Sequence, residues 1–471
     1  MKNMIRFFAL CMAAVLMFTC APALARETEK AWHVGFGIAE FVPADYDPET
    51  DTFENTYYIA GYNNGLAVTG SMDPQCVRAA YISDGETAIV TAAVDCVGLT
   101  VKSIENIRER IVPVIEEYGL ADVHIAATHT HAGIDTMGLW GPLAIDGKDD
   151  AFMEILYDAA AEAVRQACEN AKRGSLYFGS AFTGAIQRDS RLPNIYDKNI
   201  YRLRFAPEDG SAGLQIISYD AHPEALRSEN TLVSADYPYY MGRMIKEETG
   251  DDYVFFAGAV GGLIMTHVLK DPATGREYKD MHDNVVATGE LLADTMLKNI
   301  TERELAPSLE HATQEISLDV NNKLFLAMAF VGVLENEPEK GGGDYGLALM
   351  SRVSLMRLGG AEGMSVAMVP GELFPELAHG GNYSYQVNPD GENPVPMKDH
   401  IDGDFIVWGL CDDEVGYIVP PEDYLLNEKE PYLSYAYDQH DRRHYEETNC
   451  VGIDAAKTIC DAIGELAAEM K

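Results

Sequence analysis

The sequence predicts a single large α/β domain in which mixed β-sheets are flanked by helices, and three observations carry that prediction. Short apolar runs recur at 88 to 94, 123 to 129, 214 to 219, 253 to 258, 364 to 369 and 405 to 410. Their length and their β-branched and aromatic content are those of buried strands. Residues 150 to 171 differ: Ala159, Ala160, Ala163, Val164 and Ala167 recur at helical spacing, and Lys172-Arg173-Gly174 stops the pattern. Length alone suggests two or three domains, but no Gly/Ser linker, low-complexity tract or internal repeat divides the chain.

Taken in order, residues 1 to 25 join a basic start (Lys2, Arg6) to an apolar core from Phe7 to Phe18 and to Ala23-Leu24-Ala25. That is the pattern of a cleavable signal peptide with an h-region too short to span a bilayer, so the expected location is secreted or periplasmic. Lipidation at Cys20 is the alternative, disfavoured because Met17-Phe18-Thr19 lacks the small residues that precede a lipidated cysteine. The mature domain then runs from 26 to 471, with no later stretch of transmembrane length.

The run ending at 129 is the most informative. Ile125-Ala126-Ala127-Thr128-His129-Thr130-His131-Ala132-Gly133 closes an apolar strand with two histidines at i and i+2. In a strand these point to one side, about 6.6 Å apart. A metal ligand beside a proton-moving group suits such a pair, since imidazole does both jobs near pH 7. Two hydrogen-bonded core histidines would look the same.

Later runs repeat the arrangement. The run 214 to 219 leads to Asp220-Ala221-His222-Pro223, the run 364 to 369 to Pro370-Gly371-Glu372, and the run 405 to 410 to Asp412-Asp413-Glu414-Val415-Gly416-Tyr417. Each stops at a turn bearing a coordinating side chain, and ligand sites in α/β sheets gather at the carboxyl ends of strands. Together they predict one metal site, with two histidines, a carboxylate and an open position as in catalytic zinc centres.

These motifs, in this order, resemble those of the neutral/alkaline non-lysosomal ceramidases. The family's His-Thr-His-(Ala/Ser)-Gly appears as His129 to Gly133, its metal His-Pro as His222-Pro223, and its Pro-Gly-Glu as Pro370 to Glu372. Its Gly-Tyr-(Val/Ile)-x-x-Pro-Glu-(Glu/Asp)-(Tyr/Phe) box appears as Gly416 to Tyr424, and the likeness extends from Val34 almost to the C-terminus. The resemblance implies zinc held by His129, His222, Glu372 and Tyr417. It implies His131 as the second active-site histidine, which contacts the reacting group. It also implies active-site roles for Arg188, in Gln187-Arg188-Asp189-Ser190, and for Tyr445, in Tyr445-Glu446-Glu447. An exposed arginine and a packed aromatic are the plain alternatives for those two. The family's immunoglobulin-like domain is expected to be absent, the chain closing on a helix-like stretch from Asp454 to Lys471.

One motif departs. Where the family has Gly-Asp-Val-Ser-Pro-Asn, this chain reads Gly261-Gly262-Leu263-Ile264-Met265-Thr266, which puts Ile264 at the serine and Gly262 at the aspartate. Isoleucine neither donates a hydrogen bond nor attacks a carbonyl. The expected activity is therefore cleavage of the amide bond of an N-acyl lipid or related N-acyl compound by zinc-activated water, with ceramide a poor substrate. A zinc-containing binding protein without turnover, or a hydrolase of a non-lipid substrate, is the alternative.

Composition agrees with a small-molecule or lipid amide partner. With 35 Lys+Arg against 75 Asp+Glu, a formal charge of -40, the chain lacks the basic surface that nucleic acid or anionic membranes require. Cys76, Cys96, Cys168, Cys411, Cys450 and Cys460 show no Cys-x-x-Cys spacing, so they read as core thiols with one or two possible disulfides. Gly341-Gly342-Gly343 has no Gly-Lys-Ser/Thr after it and reads as a surface loop. His440, Arg442, Arg443 and His444 form either a lid beside Tyr445 or an exposed polar insertion.

Overall fold

The computed structural model describes residues 30–142, 145–184, 186–330, 332, 335, 338–381 and 387–470. Residues 1 to 25, read above as a signal peptide, and Cys20 within them lie outside the described residues.

The apolar runs become strands and stack in two sheets. The first has nine strands: β1 (Trp32–Glu40), β2 (Cys76–Ser83), β3 (Ala88–Val94), β4 (Asp122–Ala127), β5 (Lys172–Phe182), β6 (Asn199–Pro207), β7 (Leu214–Tyr219), β8 (Asp252–Ala257) and β9 (Thr301–Leu305). Their order is β8-β7-β6-β5-β1-β2-β3-β4, with β9 also on β5. The pairs β7·β8 and β3·β4 are parallel and the others antiparallel. The second sheet has five strands: β10 (Leu309–Asp319), β11 (Glu339–Lys340), β12 (Leu347–Leu358), β13 (Met364–Met368) and β14 (Asp404–Trp408). Its order is β10-β12-β13-β14, with β11 on the edge of β12.

Both faces of the first sheet are covered, so its central strands read as unbroken apolar runs. On β8, Val254 and Phe256 join the core between the sheets while Phe255 and Ala257 join the core under the helices. Phe256 stacks on Trp408 at 3.9 Å between centroids, locking the sheets together. Helices α1 (Val101–Tyr118), α2 (Asp150–Glu169), α3 (Tyr237–Thr249) and α4 (Met281–Asn299) contribute to the core on the other face through Ile107, Leu156, Met241 and Leu292. Two shorter helices follow, α5 (Lys323–Phe330) and α6 (Pro375–His379). The last helix, α7 (Ala455–Glu469), covers the second sheet with Ile459, Ile463 and Leu466. The order is helices, sheet, sheet, helix, a layered α/β architecture as the sequence predicts. No helix among the described residues is long and apolar enough to cross a membrane.

The predicted stripe on α2 is buried, and Asp149 caps the helix by accepting from Phe152 N–H at 2.8 Å. The helix lies so close to β1 that a Cβ on Gly35 or Gly37 would stand 2.0 Å from the carbonyl oxygens of Ala167 and Ala163. It ends at Glu169, two residues before the expected end. The strand expected to reach 129 stops at Ala127, because Thr128 N–H turns to Val94 O and His129 takes a left-handed φ of 66°. The six described cysteines are buried and unbonded, so the possible disulfides are corrected to free core thiols.

Candidate metal centre

Four strands bring the predicted residues together. His129 follows β4 by two residues, His222 follows β7 by three, Glu372 follows β13 by four, and Tyr417 follows β14 by nine. Glu372 and Tyr417 face each other in register across a two-residue parallel pair, Glu372–Leu373 with Tyr417–Ile418. The site thus sits where carboxyl ends of strands from both sheets meet.

The imidazoles are oriented before any ligand arrives. His129 Nδ1 lies 2.6 Å from the carbonyl of Val97, and His222 Nδ1 lies 2.7 Å from the carbonyl of Ile264. A carbonyl only accepts, so both Nδ1 atoms carry a proton, and in the neutral imidazoles both Nε2 atoms offer lone pairs. Those lone pairs meet one carboxylate: Glu372 Oε2 is 2.9 Å from His222 Nε2 and 3.5 Å from His129 Nε2. Between each Nε2 and the carboxylate either a proton or a metal cation must lie, and tying the far nitrogen to a carbonyl is how metal-binding histidines are held. The donor set fits a divalent metal.

His131 is close but held differently. Its Nε2 lies 3.3 Å from His129 Nε2, and ligating atoms of His129, His131 and His222 all fall within 4.8 Å of one another. Its Nδ1 has no hydrogen-bond partner among the described residues, the Glu224 carboxylate standing 3.7 Å away. Tyr62 donates to that carboxylate and packs edge-on against the His131 ring, and a Cβ on Gly61 would overlap the ring at 2.5 Å. Burial, then the charges of His129 and His222, holds the His131 pKa well below 6.5.

Electrostatics follow the same geometry. Burial opposes charge on Glu372, but the imidazoles of His129 and His222 outweigh it and hold its carboxyl far below the usual range. Tyr417, buried beside that carboxylate, is pushed well above 10; a bound cation reverses such a shift. Tyr445 stands 6.0 Å from Tyr417 between ring centroids, and burial followed by the Glu372 charge pushes it up to about 12.

His129, His131, Glu372, Tyr417 and Tyr445 all line a cavity of about 150 Å³. The rest of its wall is mostly apolar: Val97, Met137, Leu139 and Trp140, with Leu324, Phe325 and Met328 from α5. Arg188 is not part of that wall. It is exposed, on a two-residue strand paired with Met265–Thr266, and its guanidinium reaches Met265 Sδ. The sequence reading that Ile264, at the serine position, bears on the substrate is corrected. Ile264 is wholly buried, and none of Leu263, Ile264 and Met265 lines the cavity; what Ile264 supplies is the carbonyl that orients His222.

Sequence reasoning missed Tyr62, Glu224, the apolar wall, and the Arg191 clamp under Tyr445. The Arg191 guanidinium is buried among Glu446 (2.6 Å), Asp423 (2.7 Å) and Glu447 (3.1 Å), so one cation fastens the Tyr445 turn to the box after Tyr417. Only Arg191-Leu192-Pro193 beside the Arg188 motif marked it.

No protein-family model and no curated protein matches the chain. Solved structures do, two of them ceramidases. Neutral ceramidase from Pseudomonas aeruginosa aligns with a TM-score of 0.69 and 14% identity over 93% of this chain and 74% of that one. A ceramidase complexed with C2 aligns with a TM-score of 0.66 and 14% identity over 93% and 75%. At that identity the likeness is one of fold, and it agrees with the motif order: the chain has the fold of the neutral ceramidases.

Proposed function

We propose that the chain is a secreted, zinc-dependent amidohydrolase that cleaves the amide bond of an N-acyl lipid or related N-acyl compound. The observation that carries this reading is the convergence of two Nε2 lone pairs on the buried Glu372 carboxylate, beside His131 and Tyr445, in an apolar cavity. His129, His222 and Glu372 would hold the metal, with Tyr417 as a fourth donor. Bound there, zinc supplies Lewis acidity, polarising an amide carbonyl and acidifying water.

The other side chains do the rest. His131, neutral for the reasons above, accepts a proton at Nε2 from the attacking water and returns it to the departing nitrogen. Tyr445 stays protonated with its pKa near 12 and donates its hydroxyl to the developing oxyanion. Trp140, Leu324, Phe325 and Met328 take the acyl chain and exclude bulk water.

The test compares metal-loaded and chelator-treated protein on a panel of N-acyl substrates that includes ceramide. Amide cleavage that is lost on chelation and restored by zinc is expected. No cleavage of any member by a zinc-loaded sample would reject the enzyme reading. Export is checked separately by the N-terminus of the secreted chain, expected at Arg26.

A further inference from the structure

The cavity wall holds one carboxylate for which the proposed chemistry has no use. Glu414 lies in the turn between β14 and Tyr417, and its Oε1 accepts from Gly416 N–H at 3.0 Å. Its Oε2 is shut off from bulk water and has no hydrogen-bond partner among the described residues. The side chain is fixed in place: a Cβ on Gly98 would stand 2.9 Å from Glu414 Cγ, so the backbone of residue 98 packs directly against it.

Neighbouring buried carboxylates are treated otherwise. Asp135 accepts from the N–H groups of Met137, Gly138 and Trp140 at 2.8 to 2.9 Å. Asp413 accepts from Val101 and Glu414 N–H at 3.0 and 2.9 Å. Glu414 has one such donor, and none of the residues lining the cavity is a lysine or arginine. A divalent ion on His129, His222 and Glu372 would engage Glu372 directly, whereas Glu414 has no cationic side chain in the wall to pair with. A carboxylate in that position is costly until a positive group reaches it, and the apolar surroundings strengthen the attraction when one does. A hydroxyl would fill the hydrogen bond and leave the charge.

We propose that Glu414 is a specificity residue that receives a cationic nitrogen of the substrate, so that the preferred amide is one whose acyl or amine part carries a second, protonated nitrogen, such as a monoacylated diamine. This rests on reading the cavity as an amidohydrolase site. It also departs from a neutral sphingoid amide as the substrate.

The test uses the full, zinc-loaded protein and two amides of equal size, N-octanoyl putrescine and N-octanoyl aminobutanol. The readout is the ratio of their kcat/KM values, in which any loss common to both cancels. Wild type favours the putrescine amide, and E414Q lowers the ratio about 10- to 150-fold; E414D, which keeps the charge, retains the preference. A wild-type ratio that favours the alcohol, or an E414Q ratio equal to wild type, overturns the proposal, and the first of these needs no folded variant. Binding separates this claim from the hydrolase reading. Of the three tryptophans Trp140 lines the cavity, while Trp32 and Trp408 are buried between the sheets. Fluorescence of chelated wild type should saturate with the putrescine amide at a Kd at least about 10-fold lower than for E414Q. If neither amide is cleaved but that difference holds, the hydrolase reading falls and cation recognition stands; if the difference is absent, cation recognition falls.

Discussion

Among the described residues, two places bring histidines and carboxylates within metal-binding distance, and only one of them has the charge for a metal. At the cavity, His129, His131 and His222 meet Glu372. At the seam between the two sheets, His124 of β4 lies with its Nδ1 2.7 Å from Asp412 and its Nε2 2.7 Å from His311 Nε2 of β10, and Asp122 is close by. Groups from both regions have ligand atoms within 4.8 Å of one another. The seam, however, is already balanced. Arg352 pairs with Asp412 at 2.6 Å and Asp122 at 3.2 Å, and Arg108 pairs with the same two carboxylates at 3.1 and 3.3 Å. Two guanidinium groups offset two carboxylates, and the imidazoles spend their nitrogens on each other and on Asp412. At the cavity no guanidinium pairs with Glu372 among the described residues, and the backbone occupies Nδ1 of His129 and His222 while leaving Nε2 open. Histidine spacing does not separate the two regions; the counter-charge does.

The seam also serves the site. Asp412 accepts from Ile125 N–H at 3.1 Å and has a left-handed φ of 65°, so the network fixes where the turn to Glu414 and Tyr417 leaves the second sheet. Breaking the seam should therefore cost stability without touching the metal donors. Arg352→Met leaves the buried Asp412 and the half-buried Asp122 short of a partner, and its unfolding free energy should fall by about 3 kcal/mol in denaturant titrations, with metal content unchanged. Loss of metal from this variant would erase the distinction between the regions.

A change on the cavity side should do the reverse. His131→Ala should retain metal and fold while kcat falls roughly 10²- to 10⁴-fold, as removal of a proton-transfer group does. An emptied site would mean that His131 is a ligand.

Acid titration sharpens the contrast further. Burial, followed by the charge of His124, lowers His311 from 6.5 to about 4. Between those values the unfolded chain binds a proton that the folded chain does not, so stability rises with pH there. The contribution is whole above about pH 6.5 and is lost as the pH falls toward 4, roughly 3 kcal/mol in all. His311→Gln should flatten that part of the stability profile. An unchanged slope would show that the imidazole pair does not carry it.

The smallest expected effect tests the corrected loop. Ile264 touches the site through its carbonyl, so Ile264→Val should cost about 1 kcal/mol of stability and leave substrate preference as it was. A shift in preference would put the side chain back into the substrate's path.

The sequence made the strands legible because burial on both faces leaves unbroken apolar runs. It also showed the candidate donors, because His129, His222, Glu372 and Tyr417 each stand just past such a run. What it hid depends on pairing across long separations. Nothing near His222 announces that Ile264 O will fix its tautomer, and nothing near His124 announces His311. The His-Thr-His pair does share a cavity, but through a left-handed turn at His129 rather than through strand alternation. The apolar wall was unreadable because Trp140 and Phe325 look like ordinary core residues until α5 is placed against the cavity. Arg188 was placed by its motif alone, and motif order says nothing about which way an exposed side chain points.

The most direct test of the central claim is metal content by mass spectrometry across one set of purified variants. About one zinc per chain is expected in wild type, His131→Ala and His124→Ala, and near zero in His129→Ala and His222→Ala. Zinc that persists without His129 and His222, or that disappears when His124 is replaced, would contradict the account.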